Sequence, residues 1–343
     1  MSKRILYFDV LNVAACLAVI IMHFNGLVHA FSPSSDWLQA LFAECVCYWA
    51  VPIFFMLSGA NLLTYRERYS TKEFLYKRFV KTVIPFLAWS ALALIWKVQT
   101  GQMQAPAGPR SFIDMVINTQ IIDVYWFFIP LFSMYLSFPV LSFLCDGKND
   151  DVLWYSVATG CILISVLPSV SAFLGISFNS SLTLPILSGN LLFAVLGYLI
   201  KNHDFSAYQR YVIYLLGVMG FAVRYFSTAY CSFAQGELYT VFWGVTNFPC
   251  MLLSVAVFVF CKYAHWDRLF TTPRRVKALK SLSGCSFGIY LIHMIVFYYL
   301  LIITGLDGGR LVWRTVFPFI CYFVCAALVF FLKKIPLAKW IVP

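Results

Sequence analysis

The sequence predicts an all-α protein, a polytopic transmembrane bundle of about ten helices with both termini in the cytoplasm. Hydrophobic residues make up 62% of the 343-residue chain and charged residues 11%, with a mean hydropathy of +0.82. A soluble fold cannot hide that much apolar surface, whereas a bilayer is itself the apolar solvent. Apolar windows recur along the chain, most of them near the ~20 residues that a hydrocarbon core demands. The lysines and arginines alternate in step with those windows.

The windows fall near residues 8–30, 39–63, 79–98, 121–144, 152–174, 183–200, 209–228, 239–262, 281–303 and 312–332. The sixth is short and carries Pro185 and Gly189. With the N-terminus inside, cytoplasmic segments hold 20 of the 25 lysines and arginines, from Lys3 and Arg4 through the basic loops 65–78 and 263–280 to Lys339. Lys97, Arg110, Arg224, Arg310 and Arg314 fall outside, and this 20-to-5 split is the one the positive-inside rule expects. The net charge of +11 therefore reflects loop placement and does not point to nucleic acid.

Lys3, Arg4, an apolar run and Val28-His29-Ala30 also resemble a secretory signal with its cleavage site. Asp9 and Asn12 interrupt that run and residues 13–30 are long for its core, so the segment reads as a retained span. Residues 99–120, with Gly101, Pro106, Gly108 and Pro109, form the long loop expected outside. Residues 1–343 read as a single membrane domain with no appended soluble domain, no tandem repeat and no likeness between its halves. The eleven cysteines lack CxxC pairs or metal spacing, and Cys45 and Cys47 point to different sides of a helix; they read as buried free thiols. No metal is expected.

An ionisable group inside a span costs several kcal/mol unless paired or hydrated, so each is a candidate for function. Asn12 and His23 are eleven residues apart, which returns the side chain to within about 20° of the same face over about 16 Å of rise. Asp9 lies about 40° from that direction. One stripe of the first helix thus presents a carboxylate, an amide and an imidazole, and must face protein or water. His23 is either a histidine bonded between helices or a general base, since imidazole titrates near neutrality.

Lys77-Arg78-Phe79-Val80-Lys81, followed by Pro85, guards the third span. Lys77 reads as ordinary anchoring. Arg78 and Lys81, at i,i+3, share a helical face, either as anchors or as a site for a phosphorylated ligand. Ser58 and Gly59 permit close helix approach. Tyr125-Trp126 suit an aromatic belt. Tyr290-Leu291-Ile292-His293 places a second histidine near mid-membrane, either interhelically bonded or functional. Glu44, Asp123, Arg224, Glu237, Arg310 and Arg314 gather near outer ends of spans, where they suit an outward cavity for a polar acceptor or simply lie at the interface.

Five pieces in order resemble the acyltransferase-3 family of membrane acyltransferases, which O-acylate bacterial envelope molecules. They are Tyr7-Phe8-Asp9-Val10-Leu11-Asn12 leading to His23-Phe24, Phe54-Phe55-Met56-Leu57-Ser58-Gly59, Lys77-Arg78-Phe79-Val80-Lys81 up to Pro85, Tyr125-Trp126-Phe127, and Gly288-Ile289-Tyr290-Leu291-Ile292-His293. The resemblance implies acyl-CoA, acetyl-CoA foremost, as cytosolic donor. It implies a hydroxyl of a cell-envelope glycan or lipid-linked sugar as acceptor, and the bacterial cytoplasmic membrane as the location. His23 corresponds to the essential histidine, with Asp9 or Asn12 organising the donor-side path, and Arg78 with Lys81 corresponds to the family's basic pair. CoA phosphates are expected near these cations and the 262–280 loop. The family typically carries arginine where this chain has Asn12, and Lys81 lacks the bidentate fork of a second arginine. The competing classes are a transporter or flippase of an envelope precursor and a nonenzymatic membrane scaffold. The orientation is checked by reporter fusions: one active only outside the cytoplasm is expected to work at residue 105 and to stay silent at residue 270. The opposite pattern would invert the topology.

Overall fold

The computed structural model describes residues 5–184, 187, 189–336 and 338–342, with only the backbone of Lys339. Lys3, Arg4, Pro185 and the Lys339 side chain, used in the readings above, lie outside the described residues. The regular secondary structure of the described residues is all helical, with no strand among them. Each apolar window contains a helix: α1 Leu6–Phe24, α2 Ser35–Glu67, α3 Thr71–Gln99, α4 Asp123–Leu141, α5 Asp150–Phe173, α6 Leu191–Asn202, α7 Ala207–Gln235, α8 Phe248–Tyr263, α9 Pro273–Thr304 and α10 Phe317–Leu332.

Seven of these are long and apolar enough to cross a membrane, so the protein is a multi-pass helical bundle. The other three, α6, α8 and α10, are shorter apolar helices. At 1.5 Å per residue α6 rises only about 18 Å, against a hydrocarbon core of about 30 Å. In the sixth window, expected as a span over 183–200, the α-helix starts at Leu191, two residues beyond Gly189 at φ 57°. The eighth starts at Phe248-Pro249 rather than near residue 239, because Asn247 is extended and Pro249 takes the first turn.

Local chemistry sets the helix ends. Ser206 and Gln209 form a capping box that opens α7, and Gly236 at φ 73° closes it. Thr272 caps α9, which ends at Gly305. Two π turns, Phe79–Val83 and Cys161–Val166, each sit just before a proline, Pro85 and Pro168. Proline lacks an N–H and clashes with the preceding turn, and a widened turn accommodates both defects.

α1 lies at the centre, packed against α2, α9, α10 and α8. That position lets it carry a polar stripe without showing it to lipid. α2 and α6 meet backbone to backbone: a Cβ on Gly59 would lie 1.9 Å from the Ala194 carbonyl oxygen, and one on Gly197 2.0 Å from that of Met56. All eleven cysteines are free, and nine are buried. Gly59→Ala and Gly197→Ala are each expected to force the helices apart at an overpacking cost of about 1–3 kcal/mol. Thermal unfolding of the purified variants in detergent checks this, and unchanged midpoints would refute it.

Candidate functional site

Segments of α1, α2, α3, α4, α6 and α9 enclose a cavity of about 940 Å³. Its mouth is formed at the basic end of the bundle by Thr64, Glu67, Arg68 and Lys201, and Asp9, Asn12, Ser58, Asn61, Arg78, Thr82 and Tyr135 line it further in. The α1 stripe is thus realised, with Asp9 and Asn12 on this vestibule. Asp9 is buried, and Asn12 Nδ2 donates to the Ser283 carbonyl at 2.9 Å and to Ser283 Oγ at 3.1 Å, tying α1 to α9. Tyr135, which sequence reasoning missed, lines the cavity beside Ser58, with the Arg78 guanidinium 5.7 Å from its ring centre. Arg78 Nε is buried without a hydrogen-bond partner among the described residues.

Lys81 does not accompany Arg78. It is exposed and does not line the cavity. The π turn at Phe79–Val83 is the reason: its turn holds about one residue more than an α turn, so a three-residue step no longer returns to the same face. Pro85 was the available signal. Lys77 pairs with Glu73 at 2.7 Å and lies 4.1 Å from the Tyr69 ring centre, away from the cavity. Lys262, in the basic segment expected near donor phosphates, is engaged instead by the carbonyls of Ile200 and His203 and by Asp204 at 3.1 Å. Its hydrogen bond and charge hold the exposed Asp204 carboxyl below its usual range.

A second cavity of about 210 Å³ lies beyond the first, lined by His23, His29, Glu44, Tyr48, Trp126 and apolar neighbours. Phe54, Phe127 and Tyr290 line both cavities and form the partition between them. The Phe127 ring packs 6.0 Å from Phe54 and 5.6 Å from Tyr290. The Tyr290 hydroxyl donates to the Val124 carbonyl and the Tyr125 hydroxyl to that of Leu291 at 2.7 Å, so α4 and α9 are pinned at this level. Tyr125 is buried and acts as this strut rather than as a belt residue, whereas Trp126 is half exposed on the outer cavity.

His23 and His293 come together there, with ring centres 5.1 Å apart. His293 is 1% exposed and its Nδ1 sits 2.7 Å from the Tyr290 carbonyl on its own helix, not on a neighbouring one. A carbonyl only accepts, so Nδ1 carries the hydrogen and Nε2 keeps a lone pair, without a partner among the described residues. Of the six charges expected at outer ends, Glu44 alone lines this cavity. Its Oε2 is buried and unpartnered among the described residues. Arg224 is buried, its guanidinium 3.4 Å from the centre of the Tyr48 ring, with Nη1 donating to the Phe242 carbonyl. Asp123, Glu237 and Arg310 are exposed, and Arg314 bonds the carbonyls of Gly309 and Asp36. No group of three His, Cys, Asp or Glu side chains placed for a metal occurs among the described residues.

No curated protein and no solved structure matches the chain. The family profile described as an acyltransferase domain matches residues 5–335, a stretch that contains both cavities and the partition. The protein therefore belongs to the acyltransferase-3 family of membrane acyltransferases.

Proposed function

We propose that the protein is an O-acyltransferase of the bacterial cytoplasmic membrane. It would move an acyl group, acetyl foremost, from cytosolic acyl-CoA to a hydroxyl of an envelope glycan or lipid-linked sugar. The observation that carries this reading is the pair of cavities meeting at the Phe54–Phe127–Tyr290 partition, with cations on one side and His23 on the other. The donor suits the larger cavity, whose volume is at the top of the ~300–1,000 Å³ typical of ligand pockets. Arg78 and Lys201 offer N–H groups to phosphates there, and the thioester reaches the partition.

The acceptor hydroxyl enters the outer cavity beside His23. His23 takes its proton as the oxygen attacks the thioester carbonyl; a C–O bond forms, the C–S bond breaks and the electron pair leaves on sulfur. The proton then passes to the thiolate, and CoA departs as the free thiol. His293 Nε2 supplies a second proton-accepting lone pair next to His23, while Asp9 and Asn12 line the donor path. Two cavities in series also suit a transporter of an envelope precursor, which would have to open the partition and would leave no ester on its cargo.

Radiolabelled acetyl-CoA offered to the purified protein in nanodiscs, with envelope extract as mixed acceptor, is expected to give an alkali-labile product. Removing a positioned acid–base group typically costs about 10²–10⁴-fold in rate, so His23→Ala should lose that much turnover at unchanged thermal stability. Retention of most activity would sink the role. Phe127→Ala, which thins the partition, is expected to raise acceptor-independent hydrolysis of acetyl-CoA. An unaltered hydrolysis rate would mean that the partition does not keep water from the thioester.

A further inference from the structure

The α-helical part of α2 closes at Leu62, ahead of a 3-10 turn at Tyr65–Glu67 by the mouth of the vestibule, and two cations from different elements are clamped on its last α turn. Lys201, at the end of α6, donates from Nζ to the Ala60 carbonyl at 2.9 Å. Arg68, in the turn after α2, donates from Nη2 to the next carbonyl, that of Asn61. Both side chains line the vestibule beside Glu67, and Lys201 feels the repulsion of Arg68 and the attraction of the Glu67 carboxylate. Capping a helix C-terminus explains one cation, since the macrodipole attracts positive charge there. Two on consecutive carbonyls repel each other unless negative charge lies near, and Glu67 sets one carboxylate against the two cations. An ammonium has three N–H groups and a guanidinium five, and each of these two gives one hydrogen bond among the described residues. The remaining donors are free for an anion at the mouth.

We propose that Lys201 and Arg68 form a phosphate-binding pair and that the group they take is the 3′-phosphate of the acyl-CoA donor. The inference rests on the donor assigned above. Ala60 lies six residues from Phe54, so the pair stands about 9 Å or more of helix rise from the partition where the thioester is placed. Arg78, which lines the cavity with Ser58 and Tyr135, stands nearer the partition and faces the diphosphate. The 3′-phosphate is the phosphate most distant from the thioester along CoA, and it falls at the mouth.

Titration calorimetry of the full chain in nanodiscs, with CoA and with 3′-dephospho-CoA, tests the pair without needing an acceptor. Lys201→Met is expected to weaken CoA by about 10- to 100-fold, the range of a charge-assisted hydrogen bond, while leaving 3′-dephospho-CoA affinity unchanged. Lys201→Arg should restore most of the loss. Equal weakening of both ligands, or a fall in thermal stability that tracks the affinity loss, would show a helix-capping role and overturn the pair. Equal CoA binding by Lys201→Met and the parent would overturn it too. If the parent chain binds neither ligand, the acyl-CoA reading itself falls and the pair falls with it.

Discussion

The site depends on a close approach of two helices. Gly59 and Gly197 each face a carbonyl oxygen of the other helix at a distance that no Cβ tolerates, so α2 and α6 run in backbone contact. Without a hydrophobic drive between helices in lipid, such packing of small residues is what holds them. The consequences run in both directions along α2. Towards the mouth, the end of α6 comes near enough for Lys201 to reach Ala60. Next to Gly59, Ser58 lines the cavity with Tyr135 and Arg78, and further in Phe54 joins the partition.

The second organising element is α1, surrounded by other helices rather than by lipid. A helix in that position can show polar groups to cavities at both ends. Asp9 and Asn12 serve the inner one and His23 the outer one. Asn12 has no charge to offer, and its amide hydrogens are held by Ser283, so at this position the chain has a rivet between α1 and α9. The positive charge of the vestibule comes instead from Arg68, Arg78 and Lys201.

Much of this was legible in the sequence, for identifiable reasons. Apolar windows and the distribution of cations reported the bundle because lipid exposure and charge placement act locally. The α1 stripe was legible because helical periodicity alone puts Asn12 and His23 on one face. The meeting of His23 with His293 was not, since it depends on how α1 and α9 pack and no local pattern encodes that. Lys201 looked like any anchoring lysine until Ala60 was seen beneath it. The assumption of regular helix around Arg78 failed at a π turn that Pro85 marked but did not locate. The sixth window overreached because Gly189 takes φ 57° and the α-helix starts only at Leu191.

The aromatic partition also has an electrical consequence. Polar cavities on both sides thin the insulating layer to little more than three side chains, so a membrane potential would fall largely across Phe54, Phe127 and Tyr290. A unit charge carried through 100 mV changes energy by about 2.3 kcal/mol, enough to bias any step that moves net charge there. On the proposed reaction, an acyl cation equivalent passes outward for each proton passed inward, and the turnover as a whole is electroneutral. The partition can therefore bear the full voltage of an energised membrane while the acyl exchange across it is neither driven nor opposed by that voltage.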